Sequence, residues 1–139
     1  MLKFGAAIGA MLLLGAVACQ PGAQPAGPTV HVGLSEWVLK PDITSVAVGA
    51  VTFKAVNNGQ VTHELVVIKT DLAPTALKVS EGKVDEAASG ATIGEIESDQ
   101  LPPGKSASAM FQLTPGQYVL ICNVQGHYQA GMSAGLRVN

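Results

Sequence analysis

With 139 residues, 47% of them hydrophobic and 13% charged, the chain has the length of one domain. Its formal net charge is −2 and its eight Lys and Arg residues form no cluster. That excludes the concentrated basic face on which nucleic-acid binding depends.

Residues 1–19 read as an address. Met1-Leu2-Lys3 carries one positive charge, and Phe4 to Ala18 is an unbroken run of apolar residues and glycine. The run is shorter than the roughly 20 residues a membrane-spanning helix needs. It has the length of a signal-peptide core. Cys19 follows Ala16-Val17-Ala18 directly, which resembles the bacterial lipoprotein signal, whose Cys is acylated and becomes the mature N-terminus. Ala16 departs from that pattern, where Leu is usual. A lipid on Cys19, a cleaved soluble form and an uncleaved anchor all stay open. Gln20 to Pro28 contains only Gln, Pro, Gly and Ala, the composition of a flexible tether, so 29–139 is the folded domain.

From Thr29 onward the punctuation favours strands. Val30-His31-Val32 and Glu36-Trp37-Val38-Leu39 are short β-prone pieces bounded by Gly33 and Pro41, with Trp37 expected in the core. Ser45 to Val48 and Val51 to Val56 alternate around Gly49-Ala50, then stop at the turn signal Asn57-Asn58-Gly59. His63 to Ile68 is β-branched and apolar, as an interior strand should be. The pattern lapses over 70–91, where Val84 to Ser89 predicts at most a turn or two of helix. An acidic stretch, Glu81, Asp85, Glu86, Glu95, Glu97 and Asp99, is relieved only by Lys83. It reads as a solvated loop, with a docking patch for a basic partner as the alternative.

Strand character resumes over Thr92 to Ile96 and Ser106 to Leu113. After Thr114-Pro115-Gly116 come a strand from Gln117 to Cys122, a loop from Asn123 to Ser133 and a closing strand from Ala134 to Val138. Seven or eight short strands without a helical apolar stripe predict an all-β, two-sheet antiparallel Greek-key sandwich. Tyr118, just after Pro115-Gly116, is placed to form a tyrosine corner.

The chemistry concentrates in the last loop. Cys122, His127 and Met132 follow the spacing C-x4-H-x4-M, so a thiolate, an imidazole and a thioether lie within eleven residues. Two His and one Cys with a long axial Met suit electron-transfer copper. Zinc gains little from a thioether. The second His must come from elsewhere, and only His31 and His63 remain. His63 opens a strand after a turn, where it can reach the pole at which Cys122 ends its own strand. His31 sits between Val30 and Val32, where an exposed strand residue is the default. In an oxidising compartment an unpaired Cys122 also implies an occupant for its sulfur, a Cys19–Cys122 disulfide being the competing account.

Residues 30–139, above all Pro115-Gly116-Gln117-Tyr118 through Cys122 to Met132, resemble the cupredoxins, the blue-copper family. The loop spacing is similar to that of auracyanin, rusticyanin and sulfocyanin. The resemblance implies one copper held by His63, Cys122, His127 and Met132. It also implies a Glu64 N–H directed at the Cys122 sulfur, and Asn123 bracing the two ligand loops. The Glu64 carboxylate itself is expected as a solvated strand-end charge. Thr62 stands where azurin has a glycine carbonyl near the metal, so an azurin-like fifth contact does not carry over.

The implied role is an extracytoplasmic, monomeric single-electron carrier and not an enzyme. It would meet redox proteins such as cytochromes or terminal oxidases through transient contact near His127, with Tyr128, Ala130 and Gly131 beside it. Copper delivery, sequestration or resistance is the alternative. Copper oxidases and nitrite reductases of this domain type need more His ligands than the three available here.

Overall fold

The computed structural model describes residues 27–139, so the expectations for the leader, Cys19 and most of the tether lie outside the described residues. In chain order the strands are β1 (Thr29–Ser35), β2 (Val38–Pro41), β3 (Ser45–Val46), β4 (Gly49–Asn57), β5 (Leu65–Lys69), β6 (Val79–Ser80) and β7 (Lys83–Val84). After the single helical turn α1 (Glu86–Ser89) come β8 (Ala91–Ile96), β9 (Ser106–Leu113), β10 (Gly116–Ile121) and β11 (Ser133–Val138). One sheet has the order β2-β1-β4-β9, the other β3-β11-β10-β5-β8, and β6-β7 form a small separate hairpin.

Side-chain alternation explains how the sheets face each other. In β1, Val30, Val32 and Leu34 point inward, while Thr29 and His31 face out. In β4, Val51, Phe53 and Ala55 do the same. They meet Leu65, Val67, Tyr118, Leu120 and Leu136 of the second sheet. The sandwich is therefore the expected one, with a correction to its strand directions. β1 runs parallel to β4, and β3 parallel to β11. After the β1–β2 hairpin the chain crosses to the second sheet for β3 and then returns beside β1 as β4. That crossing leaves two parallel pairs in otherwise antiparallel sheets.

The segment between β5 and β8 is more ordered than its sequence suggests. Leu77 and Val84 pack with Val66, Ile68, Val119, Ile121 and Tyr128 in a second apolar cluster on the outer face of β5 and β10. Both faces of these strands are thus covered, which accounts for their continuous apolar runs. Asp85 caps α1 by accepting a hydrogen bond from the Ala88 N–H at 3.0 Å. The helical turn covers only Glu86–Ser89, because Lys83-Val84 is spent on the hairpin.

Trp37 corrects another expectation. It lies in the turn between β1 and β2 and is 48% exposed rather than in the core. Tyr118 does form the corner, since its hydroxyl donates to the Thr114 carbonyl at 2.8 Å and accepts from the Thr114 N–H at 3.0 Å. Replacing Tyr118 by Phe strands both backbone groups, an expected loss of about 1–3 kcal/mol. A urea titration should show a lower midpoint with an unchanged slope.

Candidate metal centre

The second sheet delivers the first two donors. β5 and β10 are antiparallel with Val66 opposite Ile121, so residues 63–64 and 122–123 leave the sheet at the same end. The Glu64 N–H points at Cys122 Sγ, 3.4 Å away, as the family resemblance implied. His63 is fixed from behind by its own N–H, which donates to the Leu101 carbonyl at 3.2 Å.

The turn before His63 is organised by Asn57, whose side chain is buried. Its Nδ2 donates to the carbonyls of Val61 (2.8 Å) and Leu101 (2.9 Å), and its Oδ1 accepts from the Gly59 N–H (2.8 Å). Asn57 reads in the sequence only as a turn former. Its bracing role depends on Leu101, 44 residues away, which local sequence does not reveal.

The remaining donors share one short loop closed by its own backbone. The Cys122 N–H donates to the Met132 carbonyl at 3.1 Å, and the Met132 N–H to the His127 carbonyl at 3.2 Å. Gly126 and Gly131, with φ of 83° and 113°, supply backbone conformations that residues with a Cβ rarely adopt. Tyr128 is buried. Its hydroxyl donates to the Pro74 carbonyl at 2.9 Å and accepts from the Leu77 N–H at 3.0 Å, tying the loop to the long connection.

Asn123 also departs from expectation, because it braces the connection and not the two ligand loops. Its Oδ1 accepts from the Val84 N–H at 2.6 Å, and its Nδ2 donates to the Val84 carbonyl (3.1 Å) and to Glu86 (2.9 Å).

Three donor atoms converge. His63 Nδ1 and His127 Nδ1 are 3.2 Å apart, and Cys122 Sγ lies 3.7 Å from the first and 3.3 Å from the second. A point equidistant from all three is about 2.0 Å from each, close to a metal–imidazole bond and slightly short of a metal–thiolate one. Among the described residues this is the one group of His, Cys and acidic side chains so arranged. His63 and Cys122 are fully buried, and His127 keeps 8% of its surface. Met132 is also fully buried, in the same apolar cluster as Cys122. His31 is solvent-exposed on β1 and takes no part in the group. The donor set of one thiolate and two imidazoles in an apolar shell fits a single copper ion.

The sequence model of the sulfocyanin (SoxE) domain matches residues 31–139. This chain belongs to the sulfocyanin family. A search of curated proteins finds no match. Among solved structures, reduced auracyanin from Roseiflexus castenholzii superposes with a TM-score of 0.61 at 24% identity, covering 82% of this chain and 98% of that one. Auracyanin A of Chloroflexus aurantiacus, a "blue" copper protein, gives 0.54 at 26% identity, covering 81% of this chain and all of that one. Reduced rusticyanin gives 0.51 at 16% identity with coverage of 82% and 81%, a likeness of fold alone. All are cupredoxins, a group whose members bind one copper.

Sulfocyanin-family membership gives the electrostatics of the pole a context. Burial pushes the Cys122 thiol above its ordinary range, against the pull of the Glu64 and Val124 backbone N–H groups. It pushes both imidazoles down; the neighbouring His63 adds to the effect on His127, and Glu36 opposes it at each ring. Glu64 is 9% exposed, and its carboxylate is not the solvated charge expected. Burial raises its pKa, Lys83 opposes the rise, and Glu95, Glu97 and Glu86 add to it.

The thiol yields a signed prediction for the metal-free protein. Its folded pKa lies above the unfolded one, so its contribution to stability is complete below about pH 8.5 and is lost as pH rises further. The melting temperature should therefore fall more between pH 7 and pH 10 for the wild type than for Cys122→Ser. Equal falls would show that the buried thiol ionises as freely as an exposed one.

Proposed function

We propose that this protein is a single-electron carrier whose copper would be held by His63, Cys122 and His127, with Met132 as a fourth, weaker donor. The observation that carries this reading is the near-equilateral arrangement of two imidazole nitrogens and one sulfur, buried but for one edge of His127. Bound copper supplies a one-electron couple between Cu(I) and Cu(II).

The chain's part is to hold its donors still. Cys122 and Met132 are linked through the backbone, and His63 is tied to Leu101, so neither side of the site moves without breaking hydrogen bonds. The apolar shell around Cys122 and Met132 disfavours added charge and supports the reduced form. His127 alone retains a solvent-facing edge, with the exposed Trp37 ring 5.0 Å from its own. Electrons would pass there, by brief contact with cytochromes or terminal oxidases over a small interface.

The test is reconstitution with Cu(II). An intense visible band and narrow copper hyperfine splitting in the EPR spectrum are expected, the band being absent in Cys122→Ser. Met132→Leu should keep the band, raise the reduction potential and cost under about 1.5 kcal/mol, the swap nearly conserving volume. An unchanged potential would remove Met132 from the donor set. Fast oxidation and reduction by cytochromes supports the carrier. Slow electron exchange together with ready copper loss would make copper handling the better reading.

We further propose an extracytoplasmic location with a lipid on Cys19. Cells fed a labelled fatty acid should label the wild type and not Cys19→Ser; an unlabelled wild type would leave a soluble exported form or an uncleaved anchor.

A further inference from the structure

One buried polar atom at the pole has no hydrogen-bond partner: Nε2 of His63, on the far side of the ring from the sulfur. Its neighbour is the carboxylate of Glu36, with Oε1 3.6 Å away. That carboxylate comes from the turn between β1 and β2 and is held in place independently of His63. The same Oε1 accepts the backbone N–H groups of Gln60 at 2.7 Å and Val61 at 2.9 Å. Position 59 leaves room for it, since a Cβ on Gly59 would overlap the Glu36 carboxylate. A charged acceptor is thus fixed beside the only unsatisfied nitrogen of a fully buried imidazole.

We propose that Glu36 is the positioning residue of the site, its carboxylate charge facing Nε2 of His63 at 3.6 Å and so holding the ring's proton on that nitrogen. The consequence for the donors is direct. With its proton on Nε2, His63 presents a lone pair at Nδ1 toward Cys122 and His127. The carboxylate also makes the imidazole a stronger donor, and its negative charge favours the more highly charged ion. The next residue, Trp37, lies edge-on to His127 at an interplanar angle of 72°, so one turn touches both imidazoles.

The inference deepens the copper reading and rests on it, but its first test needs no metal. In the metal-free full-length protein, nitrogen-detected NMR of His63 should show a proton held on Nε2 and a bare Nδ1. A ring protonated on Nδ1 would overturn the proposal and leave the copper reading intact. The second test uses Glu36→Gln, which keeps an oxygen for the Gln60 and Val61 N–H groups and removes the charge. In the copper-loaded protein the variant should bind Cu(II) about 10-fold more weakly, with a smaller loss for Cu(I). A full tenfold difference between the two losses is a rise in potential of about 59 mV for one electron. A merely structural Glu36 would leave potential and visible band unchanged in this variant, and that result would sink the idea. Failure of the wild type to take up copper would instead overturn the proposed function.

Discussion

The pairing of β5 with β10 is the constraint from which the rest follows. Because Val66 faces Ile121, the chain before β5 and the chain after β10 must emerge together. A slip of one residue would turn Val67 and Leu120 away from the sandwich and carry the Cys122 sulfur from the Glu64 N–H. The two faces meet different partners, the facing sheet on one side and Leu77, Val84 and Tyr128 on the other, so a slipped strand would present each side chain to the wrong neighbours. The approach of the two strand ends is thus inherited from the hydrophobic core.

The outer cluster extends that logic to the loop. Tyr128 and Asn123 flank His127 and Cys122 in sequence, yet both spend their polar groups on the 70–91 connection. The connection in turn packs Leu77 and Val84 onto β5 and β10. Loop, connection and central strands therefore form one mechanical unit. A metal changing charge inside it meets surroundings with little freedom to rearrange, which is what fast electron exchange asks of a scaffold.

Much of this was legible in the chain. Strands with one buried face announced themselves by alternation, as Val30, Val32 and Leu34 do, and the turn at Asn57-Asn58-Gly59 marked where β4 stops. The convergence of His63, Cys122 and His127 could be read because each lies at a strand end or in a single short loop. What escaped was whatever depended on distant partners. Trp37 has the composition of a core residue and was an exception to that rule, since it falls in the two-residue turn of the local β1–β2 hairpin. Glu64 looks like a surface charge until Glu86, Glu95, Glu97 and Lys83 are brought around it. Tyr128 and Asn123 gave no hint of their partners, which lie 37 to 54 residues away in a segment with no pattern of its own. The two parallel strand pairs were hidden likewise, because strand direction belongs to the route of the chain and not to any one strand.

The placement of Trp37 has a practical side. It is the only tryptophan in the chain, and its indole stands 5.0 Å from the imidazole of His127. Copper is an efficient quencher of excited indoles at short range. The emission of this one side chain is therefore an intrinsic gauge of occupancy, and a partner covering the ring would alter its colour as well. The molecule carries its own optical probe beside the candidate metal site.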